Sequence, residues 1–186
     1  MAGEISGLND VTVREPLSAA EAKRLGRPAR IVPDSALEAA FGGEAERDFG
    51  GMVVVGDAHW DGGAGLVEGV MQRLETPHAY WKISDFHDWR TVTASLRTAS
   101  LFITARHHGV YLAALAGIPF VALPANTHKM EGLLQLMDHP HPVCRSVDEA
   151  LDRCAELLDN PTRAGASRAR LLARRPLPTF DVLLGG

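Results

Sequence analysis

The stretch at residues 101–134 constrains the fold more than any other part of this chain. It begins with a short apolar run at 101–103, the kind of run that forms a buried strand. Apolar residues then recur at helical spacing over 110–116, and Gly117 ends that pattern. A second apolar run follows at 120–123. This order predicts a strand, a helix and a second, parallel strand, a unit whose crossover is almost always right-handed.

The rest of the chain repeats this alternation of strand and helix patterns. Strand-like runs lie at 11–13, 29–32, 52–55, 78–83 and 143–145, and helical patterns lie at 19–25, 36–41, 66–74, 88–99, 147–158 and 162–174. Ser18 with Glu21, and Ser146 with Glu149, form capping boxes that predict where two of the helices begin. Such alternation is typical of a parallel sheet with helices on both faces. We therefore predict an α/β, Rossmann-like fold.

Composition and charge exclude several classes of protein. The 186 residues suit one domain, or one with a small extension, and a hydrophobic content of 46% is ample for a core. A net charge of -4 gives no general electrostatic case for nucleic acid, and no apolar run approaches the length of a membrane span. The first residues lack the basic start and apolar segment of a signal peptide. Cys144 and Cys154 lack metal-binding spacing, so we expect reduced thiols in a cytoplasmic protein.

Basic side chains gather at two predicted turns. Arg106, His107 and His108 stand where the strand at 101–103 ends and a helix begins. Helix N-termini favour anions, so three basic residues at this place indicate that an anionic ligand completes the site. Lys129 opens the next helical pattern, just after the following strand. Because parallel strands bring such turns to the same carboxyl edge, the sequence predicts a pocket for phosphate or carboxylate.

Other polar residues carry weaker signals. His107 neighbours His108 in sequence and therefore does not share its helix face, so we expect it to have a local structural role. The Gly-rich run at 62–65 could cradle a phosphate at the start of a helix, but chain flexibility explains it equally well. His59, Asp61 and His87 lack a helpful ligand spacing, and we predict no metal site.

Five short segments follow one another in a particular order. They are REPLS at 14–18, PD at 33–34, TARHH at 104–108, GIP at 117–119 and Lys129 at the start of the next helix. Each segment is a weak signal alone. Together, over roughly residues 11–137, they resemble the polysaccharide pyruvyl transferase family.

The resemblance implies a transferase built like the second, C-terminal half of a B-type glycosyltransferase fold. Such enzymes transfer the enolpyruvyl part of phosphoenolpyruvate onto sugar hydroxyls as a ketal, without a cofactor. By this likeness, residues 1–45 correspond to the end of a first domain and the connection, 46–160 to the Rossmann-like domain, and 161–186 to a C-terminal helix and tail. The family's first half is then missing from this sequence, so we expect a partner chain or a dimer to complete the cleft.

The resemblance and the chemistry of the donor together assign candidate roles. Guanidinium groups bind carboxylate and phosphate bidentately, which favours Arg106 and Arg14. His108 stands at the family's histidine position, and an imidazole can hold phosphate or deliver a proton near neutral pH. Arg106 and His108 are thus the predicted catalytic pair. The remaining candidates are Lys129 for the phosphate, Asn126 and His128 for the acceptor side, and Asp57 and Trp60 for the sugar.

Two other functions stay open. The same basic turns could hold the diphosphate of a nucleotide sugar in a glycosyltransferase-like domain, or the chain could be an inactive remnant that binds a partner. Structural alternatives also exist for single residues. Arg106 could close its turn through a salt bridge, and Arg14 could be a solvated residue at a strand end.

Overall fold

The structure is a computed structural model that describes residues 11–32, 34–85, 88–161 and 164–173. Pro33 and His87, named above, lie outside these ranges. The strands are β1 (Thr12–Val13), β2 (Arg30–Ile31), β3 (Val53–Gly56), β4 (His78–Trp81), β5 (Leu101–Thr104) and β6 (Phe120–Ala122). The α-helices are α1 (Pro16–Arg24), α2 (Asp61–Arg73), α3 (Trp89–Leu96), α4 (His107–Ala116), α5 (Lys129–Leu136), α6 (Val147–Asp159) and α7 (Ala164–Ala173), with 3-10 turns at Ser35–Ala40 and Ile83–Asp85.

Four strands form one parallel sheet in the order β4-β3-β5-β6. The register pairs Val55 of β3 with Ile103 of β5, and Ile103 with Val121 of β6. All four strands run in the same direction, so their carboxyl ends meet at one edge. The predicted α/β fold with a parallel sheet is confirmed. The turn after β5 lies between the turns after β3 and β6.

Helices cover both faces of this sheet, as predicted. One face contributes Val54, Phe102 and Phe120 to a core shared with α3, α4, α5 and the turn at Ser35–Ala40. The other face contributes side chains such as Ile103 and Val121, which pack against α2 and α6. Because β3 and β5 are buried on both faces, they read as continuous apolar runs rather than alternating ones.

The segment before the main sheet packs onto it by two routes. β1 and β2 form a separate two-stranded parallel sheet, and α1 packs against α5. The turn at Ser35–Ala40 packs against α3 and α4, and it buries Leu37 in the core. These contacts fix the end of β1, where Arg14 lies, relative to the carboxyl edge of the four-stranded sheet.

One predicted helix start is wrong for a physical reason. Helix α1 begins at Pro16 rather than at Ala19, because the N–H that proline lacks is not needed in the first turn. Glu15 is the cap of this helix: its carboxylate accepts hydrogen bonds from the N–H groups of Leu17 and Ser18, at 2.7 and 2.8 Å. The capping box of Ser18 and Glu21 therefore does not form. By contrast, the Ser146 hydroxyl accepts from the N–H of Glu149 at 3.2 Å and caps α6 as predicted.

Two further predictions differ from the structure. Helix α2 begins at Asp61, so the Gly-rich run at 62–65 lies inside its first turns rather than before it. Residues 143–145 do not form a strand, although the N–H of Cys144 donates to the carbonyl of Ala122 at 2.9 Å. Cys144 and Cys154 are free and buried, as expected. Among the described residues, no helix combines the length and apolarity that crossing a bilayer requires.

Candidate functional site

The turn after β5 is shaped by a buried threonine. The Thr104 hydroxyl accepts a hydrogen bond from the N–H of Arg106 at 3.1 Å. A side chain on Gly109 would overlap this hydroxyl, so glycine allows the first turn of α4 to close against it. Arg106 occupies the cap position of α4 with extended backbone and makes no capping hydrogen bond with its side chain. Its guanidinium can therefore contact other groups at the carboxyl edge of the sheet.

Arg106 forms an ion pair with a carboxylate on the neighbouring turn. Its Nε and Nη2 lie 2.7 and 2.5 Å from Oδ2 of Asp57, the residue that follows β3. Asp57 is buried, whereas the guanidinium is partly exposed. Asp57 thus fixes the position of the Arg106 guanidinium from the buried side. Its carboxylate does not face the solvent, as a sugar-binding carboxylate would.

A second carboxylate joins two other basic residues. Oδ2 of Asp34 lies 2.5 Å from Nη1 of Arg14 and 3.4 Å from Nε2 of His108, and these two nitrogens are 3.2 Å apart. Oδ1 of Asp34 accepts from the N–H of Ala36 at 2.9 Å. Burial alone would raise the pKa of Asp34. The hydrogen bonds from His108 and Ala36 and the charges of His108 and Arg14 outweigh it, so the pKa is well below its usual range.

His107 lies beside this cluster and has an unusual environment. Both of its ring nitrogens are buried and lack a hydrogen-bond partner among the described residues. Its ring centroid is 5.4 Å from that of His108 and 5.3 Å from that of Tyr111. Burial, with the nearby charges of His108 and Arg14, lowers the pKa of His107 to about 4, so the ring is neutral at pH 7. The expectation that His107 points away from the site to satisfy local backbone groups is wrong.

These groups surround one cavity of about 320 Å³, which we call the edge cavity. Its lining contains several basic side chains, two tryptophans and an asparagine, and no acidic side chain from the described residues. The polar and aromatic lining residues are Arg14, His59, Trp60, Trp89, Arg106, His107, His108, Asn126 and Lys129. The two carboxylates lie beneath the guanidinium groups, so a ligand in the cavity meets positive charge first.

Comparison with known proteins identifies the family of this chain. The sequence matches the family model for polysaccharide pyruvyl transferase over residues 5–126. The chain belongs to the polysaccharide pyruvyl transferase family. A search of curated proteins found no significant match. The family match includes Arg14, Arg106 and His108 and ends before Lys129, so the lysine rests on its position in the cavity and not on the family model.

Three residues of this family member lie as close together as metal ligands would, but two of them contact the guanidinium of Arg14. Asp34, His107 and His108 place ligand atoms within 4.8 Å of one another. Two histidines and a carboxylate can bind several divalent metals. However, Nη1 of Arg14 lies against both Asp34 and His108, in the position where an ion would bind the same two atoms. The residues do not fit a metal ion in this arrangement, because the guanidinium already supplies the positive charge.

The predicted site residues are not all equivalent in the structure. Arg14, Trp60, Arg106, His108, Asn126 and Lys129 line the edge cavity together. Asp57 lies beneath Arg106. His128 does not line the cavity: its Nε2 lies 3.4 Å from the Ser18 hydroxyl and 3.7 Å from a carboxylate oxygen of Glu15, on the side of α1. Its position is therefore better suited to holding α1 than to contacting an acceptor.

The sequence did not reveal the roles of several side chains of the site. Asp34 was part of the recognised PD segment but had no assigned partner. Trp89 packs against the hydrophobic core from α3 and also lines the cavity, with its ring centroid 5.8 Å from that of His108. His107 was given only a structural role. The contacts of Asp34 with Arg14 and His108 join residues distant in sequence, which local patterns do not reveal.

Proposed function

We propose that this protein binds phosphoenolpyruvate in the edge cavity and transfers its pyruvyl group as a ketal to hydroxyls of a saccharide. The proposal rests on one observation. In this member of the polysaccharide pyruvyl transferase family, one small cavity is lined by Arg14, Arg106 and Lys129. Phosphoenolpyruvate carries a phosphate and a carboxylate, and two guanidinium groups suit both because they bind oxyanions bidentately.

The buried carboxylates make the cavity suitable for an anion rather than neutralising it. Asp34 and Asp57 are almost inaccessible, whereas Arg14 and Arg106 are partly exposed. Each carboxylate holds its arginine in place, which reduces the side-chain entropy lost when a ligand binds. Lys129 adds a charge at the exposed rim. The cavity volume, near the lower end for small-molecule sites, suits a compact donor better than a nucleotide sugar.

The reaction requires proton transfers that an imidazole can supply. One sugar hydroxyl adds to C2 of phosphoenolpyruvate and loses its proton, while C3 gains a proton and becomes a methyl group. A second hydroxyl then forms a C–O bond to C2 and gives up its proton as the bond between C2 and the ester oxygen of the phosphate breaks, and inorganic phosphate leaves with that proton. We assign the proton delivery to His108, which lines the cavity and lies within 3.4 Å of Asp34. Arg14 and Arg106 would hold the departing phosphate and the carboxylate.

Ligand protection tests the donor. Phosphoenolpyruvate should raise the melting temperature, and a nucleotide sugar or inorganic sulfate at equal concentration should raise it less. Arg106→Ala should abolish the effect of phosphoenolpyruvate. Arg73→Ala is the matched control, because Arg73 forms an exposed ion pair with Asp148 away from the cavity. Equal protection by the nucleotide sugar would favour the glycosyltransferase-like alternative, and no protection by either ligand would favour an inactive remnant.

Two broader expectations accompany this proposal. A partner chain or a dimer would complete the acceptor side of the cleft, which sedimentation analysis with and without phosphoenolpyruvate can examine. The buried free thiols of Cys144 and Cys154 are compatible with a reducing, cytoplasmic location.

A further inference from the structure

We propose that Trp60 is the surface on which the ring of the saccharide acceptor stacks, opposite the arginines that hold the donor. This inference rests on the proposed function and adds to it the position of the acceptor. It begins with exposure. Trp60 is 38% exposed although it is a large apolar side chain, and it lines the edge cavity beside Arg106 and Asn126.

The Trp60 ring is held in place by a hydrogen bond between two loops. Its Nε1–H donates to the carbonyl of Pro124 at 3.2 Å. Trp60 follows β3 and Pro124 follows β6, and β5 lies between these strands. The indole therefore links the two turns that flank the Arg106 turn. An exposed aromatic ring with a fixed orientation loses little conformational freedom when it binds a ligand.

Two glycines of α2 support the ring. A side chain on Gly62 would overlap ring atoms of Trp60, and one on Gly63 would approach Nε1 at 2.7 Å. The indole thus packs directly against the helix backbone, and this packing requires glycine at these positions. By contrast, a side chain on Gly65 of the same helix would have no neighbour within 4 Å. Gly62 and Gly63 therefore seat the Trp60 ring, a role that differs from the phosphate cradle or the flexibility suggested by the sequence.

The charge distribution of the Trp60 indole favours a neutral sugar over an anion. The face of an aromatic ring carries partial negative charge, so it disfavours a phosphate or a carboxylate. The C–H groups of a sugar ring carry partial positive charge and pack favourably on such a face. The donor anion therefore belongs with Arg14 and Arg106, and the neutral sugar belongs with Trp60. With both in one cavity, the sugar hydroxyls reach the donor carbon.

Other aromatic side chains are less suited to this role. Trp89 lines the same cavity, but its ring already lies against His108 at a tilt of 33°. Tyr80 is 47% exposed and lies on β4, but it does not line the edge cavity. Tyr80 is therefore a suitable control for the removal of an exposed aromatic ring.

Saturation-transfer NMR with methyl β-D-glucopyranoside and methyl β-D-galactopyranoside tests the inference. We expect saturation of the sugar C–H protons in the natural protein, and Trp60→Ala should weaken the binding by about three- to tenfold, the typical worth of an aromatic contact. Gly62→Ala should weaken it similarly because the new methyl group displaces the ring, whereas Gly65→Ala and Tyr80→Ala should not. Protection of every variant by phosphoenolpyruvate is measured alongside, as a check on the donor site.

The outcomes separate this inference from the proposed function. Unchanged saccharide binding in Trp60→Ala, or no saccharide binding by the natural protein, would overturn the stacking role even where phosphoenolpyruvate still stabilises the protein. An equal loss in Gly62→Ala and Gly65→Ala would also contradict it. Displacement of the sugars by uridine would assign Trp60 to a nucleobase instead. If phosphoenolpyruvate protects neither the natural protein nor any of its variants, the donor is rejected, while a Trp60-dependent sugar contact can still stand.

Discussion

Arg106 donates through both Nε and Nη2 to a single carboxylate oxygen, Oδ2 of Asp57, at 2.7 and 2.5 Å. The other oxygen, Oδ1, is buried and lacks a hydrogen-bond partner among the described residues. Asp57 is therefore committed to this one contact. The pair joins the turns after β3 and β5, and it sets the direction in which the guanidinium faces the edge cavity.

Removing the charge of Asp57 should weaken both stability and donor binding. We expect Asp57→Asn to lower the free energy of unfolding by about 2–3 kcal/mol, because it leaves a partly buried guanidinium without its counter-charge. Denaturant titration measures this change, and phosphoenolpyruvate should protect the variant less. Asp148→Asn, in the exposed pair with Arg73, should cost less than about 1 kcal/mol. Equal losses in the two variants would contradict the importance of burial.

Replacing Gly132 should disturb the contact between α1 and α5. A methyl group on Gly132 would overlap the carboxylate of Glu15, and that carboxylate cannot shift without losing its hydrogen bonds to the start of α1. We expect Gly132→Ala to destabilise the protein by about 1–3 kcal/mol. Gly65→Ala, in open space on α2, should instead stabilise it by about 0.5–1 kcal/mol. Urea unfolding of the two variants gives the comparison, and a tolerated alanine at 132 would argue against this packing.

Two histidines whose pKa is lowered by burial should make the fold sensitive to acid. The unfolded chain takes up a proton on His107 below about pH 6.5, whereas the folded state resists protonation until about pH 4. The unfolded state then binds more protons, so stability falls as the pH decreases through this window. His107→Leu should therefore gain about 2 kcal/mol relative to the natural protein at pH 5, beyond any difference at pH 8.

The comparison at pH 8 serves as the control, because there only packing distinguishes the two side chains of residue 107. Burial, with the charges of His141 and Arg153, also lowers the pKa of His139 to about 4. Part of the acid sensitivity should therefore persist in His107→Leu. A gain that is independent of pH would show that protonation of His107 is not involved.

A lysine at position 14 or 106 should bind the donor more weakly than the arginine does. Arg14→Lys and Arg106→Lys keep the positive charge but lose the planar fork that binds oxyanions bidentately. We expect each to weaken phosphoenolpyruvate binding by about tenfold or more, measured by calorimetry. Arg73→Lys should leave the affinity unchanged, since Arg73 lies outside the edge cavity. Full affinity in the lysine variants would mean that positive charge alone, and not bidentate geometry, determines donor binding.

Local patterns were sufficient for the central unit of the fold. The apolar runs at β5 and β6 and the helical spacing of α4 predicted this unit, and Gly117 has the left-handed backbone, φ 79°, that ends a helix. The parallel order of the strands then placed Arg106 and Lys129 at the same edge. These features depend on neighbouring residues, whose spacing is visible in the sequence.

The carboxylate partners could not be predicted in the same way. Asp57 is 49 positions from Arg106, and Asp34 is 20 positions from Arg14. Such pairs form only when tertiary packing brings buried acids beneath exposed bases. Packing also overrode local preference at α2, where Gly62 and Gly63 lie in a helix because the Trp60 ring needs their bare backbone. Helix propensity alone disfavours glycine there.

Arg14 reaches His108 across 94 positions of the chain. During synthesis, a ribosome that adds about 5–20 residues per second leaves roughly 5–20 s between the appearance of these two side chains. The anion site therefore cannot exist on a nascent chain that still lacks the second half of its sheet. A ligand that contacts both Arg14 and His108 would therefore stabilise only molecules in which these two parts of the chain have already packed together.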